Sequence, residues 1–275
     1  MLDAAITTGL QRSRGAVTVR LGPRGLADLA QSGSGRAMLP RLTAGPPEIV
    51  LLNTAGGLAS GDRLDYRIAL EPGTRATATT QTAERAYRAK DAPAKVRLHM
   101  QVGENGWLDW LPQETILYDG ARLSRETVVD LAPGAGCLLL EPLVLGRTAM
   151  GEEVRHLHLN DRRVVRRDGR VIHHDALALN DAALSRRHDA AMLGDARAMA
   201  TLALIAPDAP GLLEAARAVL DEPGVTGAAS APAGRLILRL LAADGWPLRR
   251  QVNRLLAVLR PGSLSPGPFP LVWQV

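Results

Sequence analysis

The first two-thirds of the chain alternates between apolar and polar positions. From Arg14 to Leu21, Val17, Val19 and Leu21 fall on one side and Thr18 and Arg20 on the other, the period of a strand with one buried face. The same period of two recurs in Leu64, Tyr66, Ile68 and Leu70, and again in Val96, Leu98, Met100 and Val102. Thr74 to Gln81 alternates small and polar residues and is rich in β-branched threonine, which suits a pleated surface. Glu48 to Asn53 reads as a continuously apolar strand covered on both faces. Around Asp168-Gly169 the flanks VVRR and RVIHH predict a hairpin closed by a two-residue turn. Short strands at close spacing, broken by Gly, Pro and Asp, predict a mainly β (α+β) fold of stacked or wrapped antiparallel and mixed sheets with a few C-terminal helices.

Helical spacing enters late. After Asp208, a candidate N-cap, Leu212, Leu213, Ala216, Val219 and Leu220 share a face until Pro223-Gly224 stops the run. Arg235 to Leu241 reads as a strand. Leu248, Val252, Leu255, Leu256 and Leu259 then define a second helix, ended by Pro261-Gly262. The pattern fits a single domain over 1–275, with a β-rich body to about residue 200 and an α/β layer over about 200–262. No internal repeat is visible. Gln31 to Arg36 and the Pro-rich tail after Arg260 read as exposed loops.

Composition narrows the class. The chain has 275 residues, of which 46% are hydrophobic but only 3% aromatic, so the core must be built from Leu, Val, Ile and Ala. No segment approaches the roughly 20 uninterrupted apolar residues of a membrane helix; the most apolar stretch, Cys137 to Gly146, is broken by Glu141-Pro142. The N-terminus lacks the charged-then-apolar layout of a secretory signal, and a cytoplasmic protein is expected. The lone Cys137 allows neither an intramolecular disulfide nor a thiolate metal centre.

The formal charge is +5 and the pI about 10.1. Lysine occurs only at Lys90 and Lys95, and the arginines are spread along the chain. The one dense run, Arg162, Arg163, Arg166 and Arg167, has no interleaved aromatics for base stacking and reads as a solvated hairpin face. A basic nucleic-acid-binding module is the alternative.

Signatures of catalysis are missing: there is no P-loop, dinucleotide-binding glycine fingerprint, nucleophile elbow or H-E-x-x-H. His156 and His158, two apart, share a strand face with imidazoles roughly 7 Å apart. They are weak candidates for a metal pair, which with a nearby carboxylate would make a metal-dependent hydrolase; the competing reading is the solvent side of an amphipathic strand. His173 and His174 point to opposite faces.

The segment from Asn53 to Arg88 carries Asn53, Thr54, Gly56, Gly57, Leu58, Gly61 and Asp62, then Thr79, Thr80, Gln81, Ala83, Tyr87 and Arg88. A second block runs W-L-P-Q-E-T-I from Trp110 to Ile116, and a third runs L-G-R-T-A-M-G-E from Leu145 to Glu152. In this order and spacing the three blocks resemble the signature of the UreD/UreH urease accessory family. The tail departs from it: Pro270 and Trp273 fit the family's P-R-x-W, but Leu271 stands where arginine is expected.

The resemblance implies a non-enzymatic scaffold, without a tightly bound cofactor, needed to incorporate the nickel metallocentre of urease. It would bridge apo-urease subunits to a UreF-type partner and a UreG-type GTPase, with transient nickel(II) passing through the complex along an internal tunnel, and with no nucleic-acid or membrane partner. Asp62, Glu114, Glu141 and Glu152 lie in or beside the three blocks and are the candidates for that route. Each competes with a structural role, such as satisfying buried amides or pairing with Arg88 and Arg147. Asn53, Thr54, Gly56, Gly57, Gly61, Gln81, Tyr87, Arg88 and Arg147 would shape the motif loops. The helix from Pro247 to Arg260 is the candidate contact for the UreF-type partner.

Overall fold

The computed structural model describes residues 12–43, 45–260 and 269–273. Expectations for the N-terminal stretch before Arg12 and for Pro261-Gly262 with the tail to residue 268 lie outside the described residues. The chain opens with β1 (Arg14–Gly22), β2 (Gly25–Gly33), β3 (Gly35–Met38) and β4 (Glu48–Asn53). It then winds through β5 (Arg63–Leu70), β6 (Arg75–Thr80), the short β7 (Glu84–Ala86), β8 (Ala94–Val102), β9 (Trp107–Trp110), the short β10 (Thr115–Leu117), β11 (Ala121–Leu131) and β12 (Gly136–Leu145). A hairpin of β13 (Leu157–Arg167) and β14 (Arg170–Asn180) follows, then α1 (Asp181–Ser185) and β15 (Ala198–Ile205). The chain continues with α2 (Leu213–Ala218), β16 (Val225–Ser230), β17 (Arg235–Ala242) and α3 (Gly245–Leu259).

Between β4 and β13 the chain passes back and forth between two sheets, so it coils. The seven-stranded sheet has the order β14-β13-β11-β8-β5-β1-β2, and the ten-stranded sheet runs β16-β17-β15-β12-β9-β6-β4-β3, with β10 and β7 beside β12. The strands of consecutive coils pair in parallel: β5 with β8 and β8 with β11 in one sheet, β4 with β6, β6 with β9 and β9 with β12 in the other. Contacts between neighbouring coils therefore recur at near-constant sequence separation. Trp110 reaches Glu141 across 31 residues, Thr79 reaches Leu111 across 32 and Asp119 reaches Glu152 across 33. The repeat is geometric and leaves no repeated sequence, because each coil needs only alternation of buried and exposed positions.

The two ends of the coils differ. At one end the turns are short and glycine-bearing; a Cβ on Gly103 would lie 2.6 Å from the backbone nitrogen of Pro72 in the next turn. At the other end four longer connections, 54–62, 81–93, 111–120 and 146–156, gather side by side.

Between the sheets the inward positions form apolar ladders. Val19, Ile68, Met100, Val129 and Val165 stand opposite one another across five strands, each fully buried. Cys137 is buried among them, and burial pushes its thiol pKa up, which keeps it protonated. A second core lies outside the ten-stranded sheet, where Leu138, Leu140, Leu202, Leu204, Leu236 and Leu238 meet Leu248, Val252, Leu255, Leu256 and Leu259 of α3. Five buried aliphatic side chains at about 1.5–3 kcal/mol each anchor that helix. The apolar stripe read from the sequence is thus turned into the chain itself, and only the opposite face of α3 remains for a partner.

The alternating strands, the Asp168-Gly169 hairpin and α3 fall where the pattern places them; Asp168 and Gly169 adopt positive φ of 51° and 75°. Two segments differ. The run after Asp208 is a 3-10 turn over Ala209–Leu212 followed by only six helical residues, and Asp208 makes no side-chain cap. Gln31 to Arg36 belongs largely to β2 and β3, edge strands whose residues are mostly exposed and therefore polar and small.

Candidate functional site

All three motif blocks lie at the long-loop end. Asn53, leaving β4, accepts from the Ala55 amide at 3.1 Å and donates to the Gly57 carbonyl at 3.0 Å. Gly56 and Gly57 take φ of 77° and 154°, and a Cβ on Gly57 would lie 2.3 Å from the ring of Tyr87. Tyr87 in turn donates its hydroxyl to the Gly56 carbonyl at 3.1 Å. Asp62 is buried and closes the loop, accepting from the amides of Ser13 at 2.7 Å and Ala59 at 2.8 Å. Thr54 bonds the Ser34 carbonyl, Gly61 the Ala92 carbonyl, and Gln81, exposed, the Leu51 carbonyl through its amide.

The second and third blocks stack onto the first. Tyr118 meets Tyr87 edge-on at 5.1 Å, and the Arg147 guanidinium lies over Tyr118 at 4.5 Å. Asp119 pairs with Arg88 and accepts from the amides of Arg155 at 2.9 Å and His156 at 2.8 Å. Burial opposes its ionisation, but those amides and Arg88 outweigh burial and hold its carboxyl below the usual range. Glu152 accepts from the amides of Asp119 and Arg147 and pairs with the Arg147 guanidinium at 2.8 Å. Glu114 is partly exposed, 3.9 Å from Arg249.

Behind these loops a charged seam enters the space between the sheets. Glu84 begins it, beside Asn53 and Tyr66 in a cavity of about 70 Å³. Burial lifts its pKa to about 7, against the lowering pull of Asn53 and of the Arg85 amide. Further in, Arg125 donates to Asp161 at 3.0 and 2.6 Å and to Thr115 at 3.2 Å, and sits 2.9 Å from Glu141. Glu141 Oε1 also accepts from the Trp110 indole at 2.9 Å, while its Oε2 is the oxygen that faces Arg125, as an ion pair without hydrogen-bond geometry. Burial raises the Glu141 pKa against the pull of Arg125, whereas at Asp161 the doubly bonded Arg125 overcomes burial and the pKa falls. Two carboxylates around one guanidinium are thus pushed apart in acidity. Arg163 continues the seam, 3.7 Å from Asp161 and 3.3 Å from Asp175, and Asp175 accepts at 2.7 Å from Arg239, whose side chain reaches solvent.

Of the four candidate carboxylates, Glu141 alone stands on this seam; Asp62, Glu114 and Glu152 lie among the loops. His156 and His158 point away from the buried Leu157 and Leu159, His156 toward Asp181 at 3.2 Å and His158 toward Asn160 at 3.1 Å. Among the described residues no three His, Cys, Asp or Glu side chains are placed to hold a metal ion. The dense arginine run divides: Arg163 is buried, Arg162 pairs with Glu126, Arg166 faces Asp130, and Arg167 bonds the Ala135 carbonyl. Glu84, Arg125, Asp161 and Asp175 escaped the sequence reading. Their signal was a charge at an inward step of an alternating strand, as Arg125 is between Leu123 and Thr127.

The motif residues hold loops together, and the titratable residues lie inside a coil closed by side chains. Fold and site together define a coiled two-sheet protein with an ion-paired seam in its interior. A family model described as UreD urease accessory protein matches residues 12–274. The chain is 78% identical over its full length to the urease accessory protein UreD of Paracoccus denitrificans, covering 97% of that protein. It is 55% identical to the UreD of Cereibacter sphaeroides strain ATCC 17025, over 96% of each chain, and 41% identical to that of Rhizobium leguminosarum bv. trifolii, over the whole of both. The chain belongs to the UreD urease accessory protein family.

Proposed function

We propose that this chain performs no reaction of its own and serves in the cytoplasm as the scaffold on which urease receives nickel. It bridges apo-urease subunits to a UreF-type partner and a UreG-type GTPase, and nickel(II) passes through it as cargo. The observation that carries this reading is the interior seam from Glu84 through Glu141 and Asp161 to Asp175. A cation in transit needs oxygen donors that release it, so carboxylates partly neutralised by Arg125 and Arg163 suit passage, where a closed cysteine or histidine cage would retain the metal. Glu141, buried between the sheets with its Oε2 held only by the Arg125 ion pair at 2.9 Å, is the donor tested first on that line.

The test is reconstitution of urease in nickel-supplemented cells with and without this chain, and with Glu141→Gln. Activity and urease-bound nickel should depend on the chain and fall in the variant while the complex still assembles. Full activation without the chain overturns the scaffold reading; full activation with Glu141→Gln overturns the route. Charge reversal at Asp62 with normal folding and full activation removes Asp62 from it.

A further inference from the structure

The outer faces of the two sheets are treated differently. The ten-stranded sheet is covered by α3, whereas the outward positions of the seven-stranded sheet are open to solvent. On that open face Arg14, Arg63 and Lys95 stand directly opposite one another across β1, β5 and β8, all exposed. Like charges in that relation repel and destabilise a sheet. None of the three forms an ion pair among the described residues, although Asp65, Glu126 and Asp130 lie on the same face. Those carboxylates stand against other cations: Glu126 bonds Arg162, Asp130 faces Arg166, and Asp65 and Glu126 flank Arg97. Self-neutralisation was thus available and is used in the neighbouring rows.

Beside this ladder the face is hollowed. Two concavities adjoin along β11, β13 and β14. One of about 480 Å³ is lined by Arg122, His158, Asn180 and Asp181; the other, about 410 Å³, by Lys95, Arg97, Ser124, Glu126, Asn160 and Arg162, so each holds a carboxylate among its cations. Arg122 adds an independent signal, since its Nε is buried without a hydrogen-bond partner. An unpartnered guanidinium nitrogen at such a site calls for an anionic acceptor.

We propose that this trough is a docking site for a carboxylate-rich segment of a partner protein, anchored by Arg14, Arg63, Lys95 and Arg122. Carboxylates entering from the partner relieve the repulsion of the ladder and bond Arg122. A protein segment fits better than a nucleic acid. The face presents no aromatic side chain at these positions for base stacking, and its own carboxylates interrupt the path a continuous phosphate backbone would follow.

The test uses the full chain, a labelled short polyglutamate peptide and an oligothymidylate of equal charge, read by fluorescence anisotropy at low and moderate salt. The peptide should bind in a salt-dependent manner. Arg63→Ser with Lys95→Ser should weaken it by about tenfold or more while leaving the melting temperature unchanged or higher, because repulsion has been removed. Arg122→Met should weaken it as well. Arg166→Ser, which removes a cation already facing Asp130, should change affinity by less than about twofold. The proposal is overturned if the peptide does not bind, if Arg166→Ser weakens it as much as the double variant, or if the oligothymidylate binds more tightly than the peptide. Nickel and urease enter none of these measurements, so the outcome is separate from that of the reconstitution.

Discussion

Arg260 lies 3.0 Å from Asp109, with both side chains buried, and so ties the end of α3 to the middle of β9. Asp109 also accepts from the Trp107 indole at 2.7 Å. Breaking a buried ion pair by removing one partner costs about 3–5 kcal/mol. Asp109→Ala should therefore lower the urea midpoint strongly, and an Asp109→Ala, Arg260→Met double variant should recover part of the loss. If the single variant loses less than about 1 kcal/mol, the pair does not hold the helix.

Gly57 is a second sensitive point. Gly57→Ala would force the added carbon against Tyr87 and the Arg85 carbonyl, at 2.3 and 2.8 Å, at a positive φ. A loss of about 1–3 kcal/mol is expected. Gly73→Ala has positive φ but nothing within 4 Å and should cost less. Melting curves of the two variants, measured side by side, check the order.

The Glu84 carboxyl should leave a mark on pH dependence. Its pKa is about 7 in the folded chain against 4.5 when solvated. The folded state binds the extra proton between those values, so this group makes stability fall as pH rises from about 4.5 to 7, by roughly 3 kcal/mol at most. Glu84→Gln should remove that slope and be more stable than the parent at pH 8, with a smaller difference near pH 4.5. Urea unfolding at both values tests it; parallel pH profiles would mean that Glu84 titrates normally.

Asp119 and Arg88 form one ion pair but should not be equivalent. Asp119→Ala removes the acceptor of two amides, of Arg155 and His156, at about 0.5–1.5 kcal/mol for each hydrogen bond, whereas Arg88 is largely exposed and its pair contributes at most about 1 kcal/mol. Hydrogen exchange at the His156 amide should quicken in Asp119→Ala and barely change in Arg88→Ala. Because the Asp119 pKa is lowered, its contribution is present at neutral pH and lost as pH falls through the folded value.

The strands were legible because a sheet with one wet face imprints its period on the sequence, as in Leu64, Tyr66, Ile68 and Leu70. α3 was legible from its apolar stripe, though its start was not: the Asp244 cap, which accepts from the Gly245 amide, lies before the Pro247 read from the sequence. The coil was not, since parallel pairing between residues 31–33 apart demands only compatible alternation. The seam was missed for a related reason: Glu84, Arg125, Asp161 and Asp175 are far apart in sequence and meet only after winding. The same winding hid the cationic ladder. The conspicuous arginine run proved largely neutralised, whereas Arg14, Arg63 and Lys95, each unremarkable alone, became neighbours.

The antiparallel hairpins that flank the parallel strands of the seven-stranded sheet have a consequence for self-association. A stack of parallel coils is open-ended by nature, because its last strand offers the next copy the same hydrogen-bonding row that its predecessor used. In the seven-stranded sheet, β2 and β14 turn back against that direction and put a twisted, reversed strand where another coil would add. They act as terminators of a polymer of length one, and a chain trimmed of either hairpin would be expected to grow into fibres rather than simply to unfold.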